Sequence, residues 1–203
     1  MTVDYFTYKG YKITGIVHVG MNVGQEIPIY RSLGINRIMG FEPLPEAYNQ
    51  LAANYPEYAF WQAGLGAKAE RRTLHVTATA DGQSSSVYDP GVESGYPATE
   101  IIKEEIPITI VRFDDLVYST GIDLLGYNTM VIDVQGMELE VLKGLGNFLK
   151  VFDFYIIECS PTAIYKGGAT LEQVASLMKE HGYRQQNKVK TLVDDVAFIR
   201  RLK

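Results

Sequence analysis

The stretch Ile13-Thr14-Gly15-Ile16-Val17-His18-Val19-Gly20-Met21-Asn22-Val23-Gly24-Gln25-Glu26 decides the fold. Ile13–Val19 is rich in β-branched residues and stops at Gly20, the pattern of a buried strand. Gly20 and Gly24 let the backbone turn tightly and approach a ligand closely, and the start of a following helix offers free N–H donors. Gly24–Leu33 reads as that helix. Pro28 inside it is tolerated only in a first turn, so the helix is expected to begin close to Gln25. A plain strand-to-helix turn needs only one glycine, so the second one is a first hint of a binding loop.

Working outward, the alternation repeats. Arg37–Phe41 is a second short strand, Pro45 suits the first position of a helix over Glu46–Ala53, and Asn54 closes it. Tyr58–Leu65 reads as a third strand and Thr73–Thr77 as another short one. Asp81-Gly82-Gln83-Ser84-Ser85-Ser86 is polar enough for a turn or a binding loop. Gly91, Gly95, Pro90 and Pro97 mark an excursion over residues 89–100. Ile106–Phe113 is a further strand, with Asp114-Asp115 opening a helix whose positive end favours acids. Thr129–Val134 is a buried strand, followed by a helix over Met137–Leu145 with Met137, Val141, Leu142 and Leu145 on one face. Phe152–Glu158 is the next strand. Thr170 with Gln173 forms a capping box for a helix over Thr170–His181 that stops at Gly182. Tyr183–Gln186 and Val193–Arg200 suggest a terminal hairpin. The expected fold is a doubly wound, mostly parallel α/β sheet over residues 1–203 as one domain, with an antiparallel edge and an inserted hairpin or loop excursion. Ligands of such sheets sit beyond the carboxyl ends of the central strands.

Composition narrows the class. The 203 residues carry a formal net charge of −5 and 46% hydrophobic side chains, as in ordinary globular proteins. A pI near 5.3 argues against a broad basic face for nucleic acid. No run approaches the roughly 20 apolar residues of a membrane span, and Met1–Lys9 lacks the basic-then-apolar order of a signal peptide. The single cysteine, Cys159, excludes an internal disulfide framework. We therefore expect a soluble, cytoplasmic protein.

Chemistry is expected at strand ends. The loop from Gly20 lacks the middle glycine of Gly-x-Gly-x-x-Gly, with Asn22 in its place, and so fits a ligand without a pyrophosphate. About 20 residues on, Phe41-Glu42-Pro43 places an acid where it could accept bonds from both ribose hydroxyls; the plainer reading is a solvated glutamate at a helix entry. Loop and acid together point to an adenosine-containing ligand. Asp133 ends an apolar strand, and a carboxylate there needs a partner, for which a ligand ammonium would serve. Glu138 and Glu140 read as acids favoured at a helix start. Glu158 ends the fifth strand beside the same crevice, open between a structural bond and a place in the site. No His, Asp or Glu set has metal-ligand spacing.

His18-x-Gly20-x-Asn22-x-Gly24-Gln25-Glu26, Phe41-Glu42-Pro43, Phe113-Asp114-Asp115-Leu116, and Ile132-Asp133-Val134-Gln135-Gly136-Met137-Glu138-Leu139 with Leu142-Lys143-Gly144 together resemble the FkbM-type methyltransferases. The resemblance runs from about residue 13 to Tyr183. Gly82–Ser86 and Tyr165-Lys166-Gly167 are similar to one branch of that family. It implies a seven-stranded sheet with an antiparallel last strand, S-adenosyl-L-methionine as cofactor, and O-methylation of sugars, glycolipids or polyketide-like products. By motif position the cofactor-binding residues would be His18, Gly20, Asn22, Gly24, Gln25 and Asp133 around the methionine end, Glu42 at the ribose, and Gly64 and Leu65, with Ala63, near the adenine. The chain departs from the family pattern at His18 and Gln135, where acids are usual. A glutamine can only orient groups by hydrogen bonding.

Asp133 and Glu158 are the candidate catalytic groups, with His18 behind them. His75 and His181 read as structural. Tyr88 and Tyr96 are placed to anchor the excursion or close over a site. Residues 82–104 and 160–169 are expected to shape the pocket of a small-molecule or glycan acceptor. A dehydrogenase using NAD and a cofactor-binding protein without catalysis are the other readings.

Overall fold

The computed structural model describes residues 3–77, 84–89 and 102–200. The expectations placed on Asp81, Gly82 and residues 90–101, Tyr96 included, lie outside them. In chain order the elements are α1 (Asp4–Tyr8), β1 (Ile16–Val19), α2 (Ile27–Ser32), β2 (Ile38–Phe41), α3 (Pro45–Asn54), β3 (Ala59–Trp61), β4 (Gly64–Leu65) and β5 (Glu70–Thr77). There follow β6 (Ile102–Val111), α4 (Phe113–Thr120), β7 (Thr129–Ile132), α5 (Glu138–Gly144), a 3₁₀ turn (Gly146–Val151), β8 (Phe154–Cys159), α6 (Leu171–Glu180), β9 (Tyr183–Gln185) and β10 (Asp194–Arg200). Among the described residues no helix is long and apolar enough to cross a membrane.

Seven strands form one sheet in the order β3-β2-β1-β7-β8-β10-β9. β10 runs antiparallel to both of its neighbours and the remaining pairings are parallel. β1, β2 and β7 are buried along their whole length, which is why each reads as an unbroken apolar run rather than an alternating one. The order reverses direction at β1 and β7. The loops leaving those two strands diverge and open a crevice at their carboxyl ends.

Successive side chains on a strand point to opposite faces. Val17 and Val19 join one core cluster with Met39, Phe41, Met130 and Ile132, whereas Ile16 joins the other with Ile38, Val131 and Ile156. His18 has the parity of Ile16, so its ring lies on the second face, with Nδ1 3.0 Å from the Tyr30 hydroxyl of α2. The Thr170 capping box forms as expected.

Three expectations need correcting. The run Tyr58–Leu65 is two strands, because the chain bends at Gln62-Ala63. Its first half stays in the main sheet, while Gly64-Leu65 pairs in parallel with Ile110-Val111. The strand around Thr73–Thr77 begins earlier, at Glu70, and that around Ile106–Phe113 runs from Ile102 to Val111, and the two pair with each other in a separate three-stranded sheet, β4-β6-β5. Finally, α2 starts at Ile27 instead of near Gln25, since Gly24 is held at φ +81° and belongs to the turn.

The side sheet positions the site. Its inner residues Leu74, Val76, Ile108 and Ile110 pack with Leu44, Ala47 and Met137 in a third apolar cluster. Met137 stands just before α5, and Leu44 and Ala47 belong to the turn after β2 and to α3. The side sheet thereby walls one side of the crevice.

Candidate active site

The loop after β1 is shaped by close approach. Gly20 stands at φ +83°, and a Cβ there would lie 1.7 Å from the Asp133 carbonyl oxygen, so only glycine lets the loop pass the end of β7. Asn22 follows at φ +48°. Its N–H donates to Oε2 of Glu42 at 2.7 Å, while Oε1 accepts the Leu44 N–H at 2.8 Å. The Glu42 carboxyl thus ties the first loop to the second strand end, and each oxygen keeps a second acceptor site. Burial pushes Glu42 up to about 7, against the pull of those two N–H bonds.

A cavity of about 150 Å³ opens over this loop, lined among others by Gly20, Asn22, Gln25, Glu42, Gly64 and Leu65. Its apolar wall is Leu74, Ile108 and Ile110 of the side sheet, and Asp133 and Gln135 close its far end. Gly24 is not part of the lining. A Cβ there would meet Leu51, Ile27 and Tyr55 at 2.7–3.0 Å, so this glycine serves the packing of the loop on α3. His18 is also absent from the lining. It faces a smaller cavity behind β1, and burial lowers its pKa to about 4, so the ring is neutral.

The loop after β7 repeats the left-handed step with Gln135 at φ +52°. Both amide hydrogens of Gln135 are occupied, one on Asp133 Oδ1 at 2.7 Å and one on Glu158 Oε2 at 2.7 Å. Its Oε1 accepts the Tyr165 hydroxyl at 2.8 Å, and its backbone carbonyl accepts Ser86 Oγ at 2.6 Å. Burial, then the charges of Asp133 and Glu138, push Glu158 up to about 9. Asp133 is raised by burial, with hydrogen bonds from Gln135 and Glu158 holding it down. The hydrogen bond between the two raises Glu158 and lowers Asp133, so a proton is held more firmly on Glu158 than on Asp133.

This acid pair borders a second cavity of about 200 Å³, lined also by Ser84, Ser160, Ile164, Tyr165 and Gly168. Asp133 and Gln135 line both cavities, so the two adjoin there. The 160–169 loop expected to shape an acceptor pocket does line the second one, as does Ser84. Tyr88 packs with Arg72, whose guanidinium lies 4.9 Å from the ring centre. His75 faces Glu105 at 3.2 Å across β5 and β6, and His181 Nδ1 lies 3.0 Å from the Leu177 carbonyl at the end of α6. Burial raises Cys159 far above ordinary thiol values, which leaves it inert.

Two residues of the second cavity are poorly marked in the sequence. Glu138 reads as a helix-start acid, yet it is 4% exposed, lines the cavity, accepts the Gly136 N–H at 2.9 Å and is pushed by burial up to about 7. Its apolar neighbours Met137 and Leu139 are the available signal that this turn is inside. Tyr165 belongs to a segment that resembles one branch of a family, and nothing in its spacing reveals that it reaches Gln135 across the crevice.

Comparison with known proteins matches this arrangement. The profile of the methyltransferase FkbM domain covers residues 18–185. The chain is 30% identical over 145 residues to the hexuronic acid methyltransferase AglP of Haloferax volcanii, a match that takes in 69% of this chain and 53% of AglP. The chain thus aligns with about half the length of that relative. In fold it is similar to the magnesium protoporphyrin IX methyltransferase of Synechocystis with bound S-adenosylmethionine (TM-score 0.53, 10% identity, 98% of this chain and 76% of that one). The 1,6-didemethyltoxoflavin-N1-methyltransferase of Burkholderia thailandensis with bound S-adenosylhomocysteine is similar too (TM-score 0.51, 11% identity, 98% and 75%). A Rossmann-like sheet with its crevice between β1 and β7, and a profile match over most of its length, make this chain a member of the FkbM methyltransferase family.

Proposed function

We propose that this chain transfers a methyl group from S-adenosyl-L-methionine to a hydroxyl of a sugar, glycolipid or small metabolite. The observation that carries the reading is the meeting of two cavities at Asp133 and Gln135, with an acid pair at the junction. One cavity suits a nucleoside. Glu42 offers acceptor positions to a ribose diol, Gly64 and Leu65 with the side-sheet wall suit an adenine, and Gly20, Asn22 and Gln25 flank the amino-acid end. The fit is supported by the donor and acceptor set: among the described residues the lining has acids for hydroxyls and an ammonium, and no lysine or arginine for a pyrophosphate.

When bound, the cofactor supplies an electrophilic methyl carbon on a sulfonium, and the chemistry left to the protein is orientation and proton removal. Asp133, the member of the pair that holds a proton less firmly, accepts the proton of the acceptor hydroxyl. Glu158 keeps its own proton and Gln135 holds both carboxyls in register, a positioning role that needs no ionisation. Among the described residues the acceptor cavity is lined by Asp133, Glu138 and Glu158 with no lysine or arginine, which favours a neutral acceptor over an anionic one.

Calorimetry and a labelled-methyl assay test the reading. S-adenosylhomocysteine should bind and NAD should not, and transfer should occur to a member of a panel of neutral glycosides, glycolipids and hydroxylated metabolites. Failure of S-adenosylhomocysteine to bind removes the proposal. Binding without transfer to any panel member would favour a non-catalytic, cofactor-binding protein.

A further inference from the structure

Residues 84–89 form a strap that runs past both cavities. Ser85 and Val87 line the nucleoside cavity and Ser84 lines the acceptor cavity. The strap is fastened by its backbone in two places. Ser86 exchanges both main-chain bonds with His75 of β5, at 2.8 and 3.2 Å, and the Asp89 carbonyl accepts the Lys166 N–H at 2.9 Å. At the first fastening the Ser86 side chain points inward, and the residue is 3% exposed. Its Oγ accepts the Tyr88 N–H at 3.1 Å and donates to the backbone carbonyl of Gln135 at 2.6 Å. Ser86 itself lines neither cavity.

The carbonyl held by that hydroxyl belongs to a backbone step that needs holding. Gln135 stands at φ +52°, which a side chain keeps only where its surroundings over-determine it. Gly136 follows at φ +106° and adds no side chain to stiffen the turn. Release of the carbonyl would let this peptide rotate and carry the Gln135 amide off its two carboxyls, each now at 2.7 Å. Asp133 depends on that amide. It is buried and faced by Glu158 of β8, Asp195 of β10, Glu26 and Tyr30 at α2, Glu42 after β2 and Glu138 of α5. Against all of these, the hydrogen bonds from Gln135 and Glu158 favour its ionised form.

We propose that Ser86 is a positioning residue for the transfer: its hydroxyl pins the Gln135 carbonyl, keeps the amide clamp on Asp133 and Glu158, and so makes the side sheet part of the reaction centre. Its part in turnover rests on the methyl-transfer reading above. The serine acts through Gln135 and touches no reacting atom. Because the strap keeps its backbone bonds to β5 and to the 160–169 loop without the hydroxyl, the clamp can be loosened while the walls of both cavities stay in place.

The test follows the Asp133 carboxyl directly by carbon-13 NMR across pH, with its signal identified by its loss in Asp133→Asn. In Ser86→Ala the titration midpoint of Asp133 should rise by about half a pH unit or more, the worth of a weakened hydrogen bond to a charged group. Ser86→Thr keeps the hydroxyl and should bring the midpoint back toward the wild-type value. In a Gln135→Ala background Ser86→Ala should add no further shift, since the serine acts through that side chain. An unmoved midpoint in Ser86→Ala, an equal shift in Ser86→Thr, or the same added shift without Gln135 overturns the proposal. Ser86→Cys, which keeps the volume and donates weakly, gives the same reading should the alanine variant not fold. In the methyl-transfer assay Ser86→Ala should lower kcat about tenfold or more while S-adenosylhomocysteine affinity stays within about twofold. An equal loss of both marks a merely structural serine and overturns the assignment. Absence of S-adenosylhomocysteine binding to the wild-type protein, with the titrations as expected, would instead overturn the methyl-transfer reading and not the hold of Ser86 on Gln135.

Discussion

The loops that leave β1 and β7 lie side by side and use the same backbone device. Among the described residues, the non-glycine positions with positive φ are Asn22 and Gln135, one in each loop. Sparsely populated backbone conformations of this kind concentrate at functional sites. What differs is the group that is presented. The first loop turns its Asn22 N–H onto Glu42, so its backbone is tied down and a carboxyl is left facing the cavity. The second loop turns its side-chain amide inward, so that Gln135 itself becomes the clamp between Asp133 and Glu158. Under the proposed function one loop would build a holder and the other a reaction centre, from similar backbone turns and different side chains.

Breaking the second loop should cost more turnover than breaking the first. Asp133→Asn removes the proposed proton acceptor and should lower kcat by about 10²–10⁴-fold, the usual worth of a general base, in a steady-state methyl-transfer assay. The two glycines sharpen the contrast in stability. Gly20→Ala drives a Cβ into the Asp133 carbonyl and should cost about 3 kcal/mol, or about 6–12 °C in thermal unfolding of a chain this size. Gly136→Ala meets side-chain atoms of Tyr165 and Tyr88 at 3.1–3.4 Å instead of backbone, so the strain of a Cβ at φ +106° dominates there, and it should cost less. In the first loop, Glu42→Gln should weaken S-adenosylhomocysteine about tenfold by calorimetry. Wild-type affinity should strengthen as pH rises through about 7, where Glu42 ionises, and the variant should lose that dependence.

Stability should respond to pH in the opposite direction. Glu42 and Glu138 at about 7 and Glu158 at about 9 all lie above the value of about 4.3 for an unfolded glutamate. The folded chain therefore binds more protons than the unfolded one from about pH 5 to 9, and its stability falls as pH rises through that window. Scanning calorimetry of the ligand-free protein should show a melting temperature lower by a few degrees at pH 8.5 than at pH 6, and Glu158→Gln should flatten the upper part of the curve. The smallest effect is expected of Tyr165→Phe, which removes a single bond to Gln135 and should reduce kcat about three- to tenfold, with S-adenosylhomocysteine affinity unchanged.

Local patterns made the parallel sheet legible. Short β-branched runs ending at Gly20, Phe41 and Asp133 can be satisfied only as strands buried on both faces, and Thr170 with Gln173 could only start a helix. The side sheet was not legible in the same way. Gly64-Leu65 looks like the end of β3 because a bend at Gln62-Ala63 leaves no mark on hydrophobic periodicity, and its partner strand lies some 45 residues away at Ile110-Val111. Within the site, Glu42, Asp133 and Glu158 were readable as acids at strand ends. His18 was readable by motif position alone, and strand parity turns it away from the larger cavity.

Sequence alone determined which strands are buried, where their carboxyl ends fall and which acids stand there, because burial patterns and turn residues are local properties with periods of two and 3.6. Only the tertiary structure decided that Gln135 joins two carboxyls from different strands and that Tyr165 steadies it from a distant loop. Those are meetings of side chains far apart along the chain. They depend on how sheet, side sheet and loops close over one another, which no local pattern encodes.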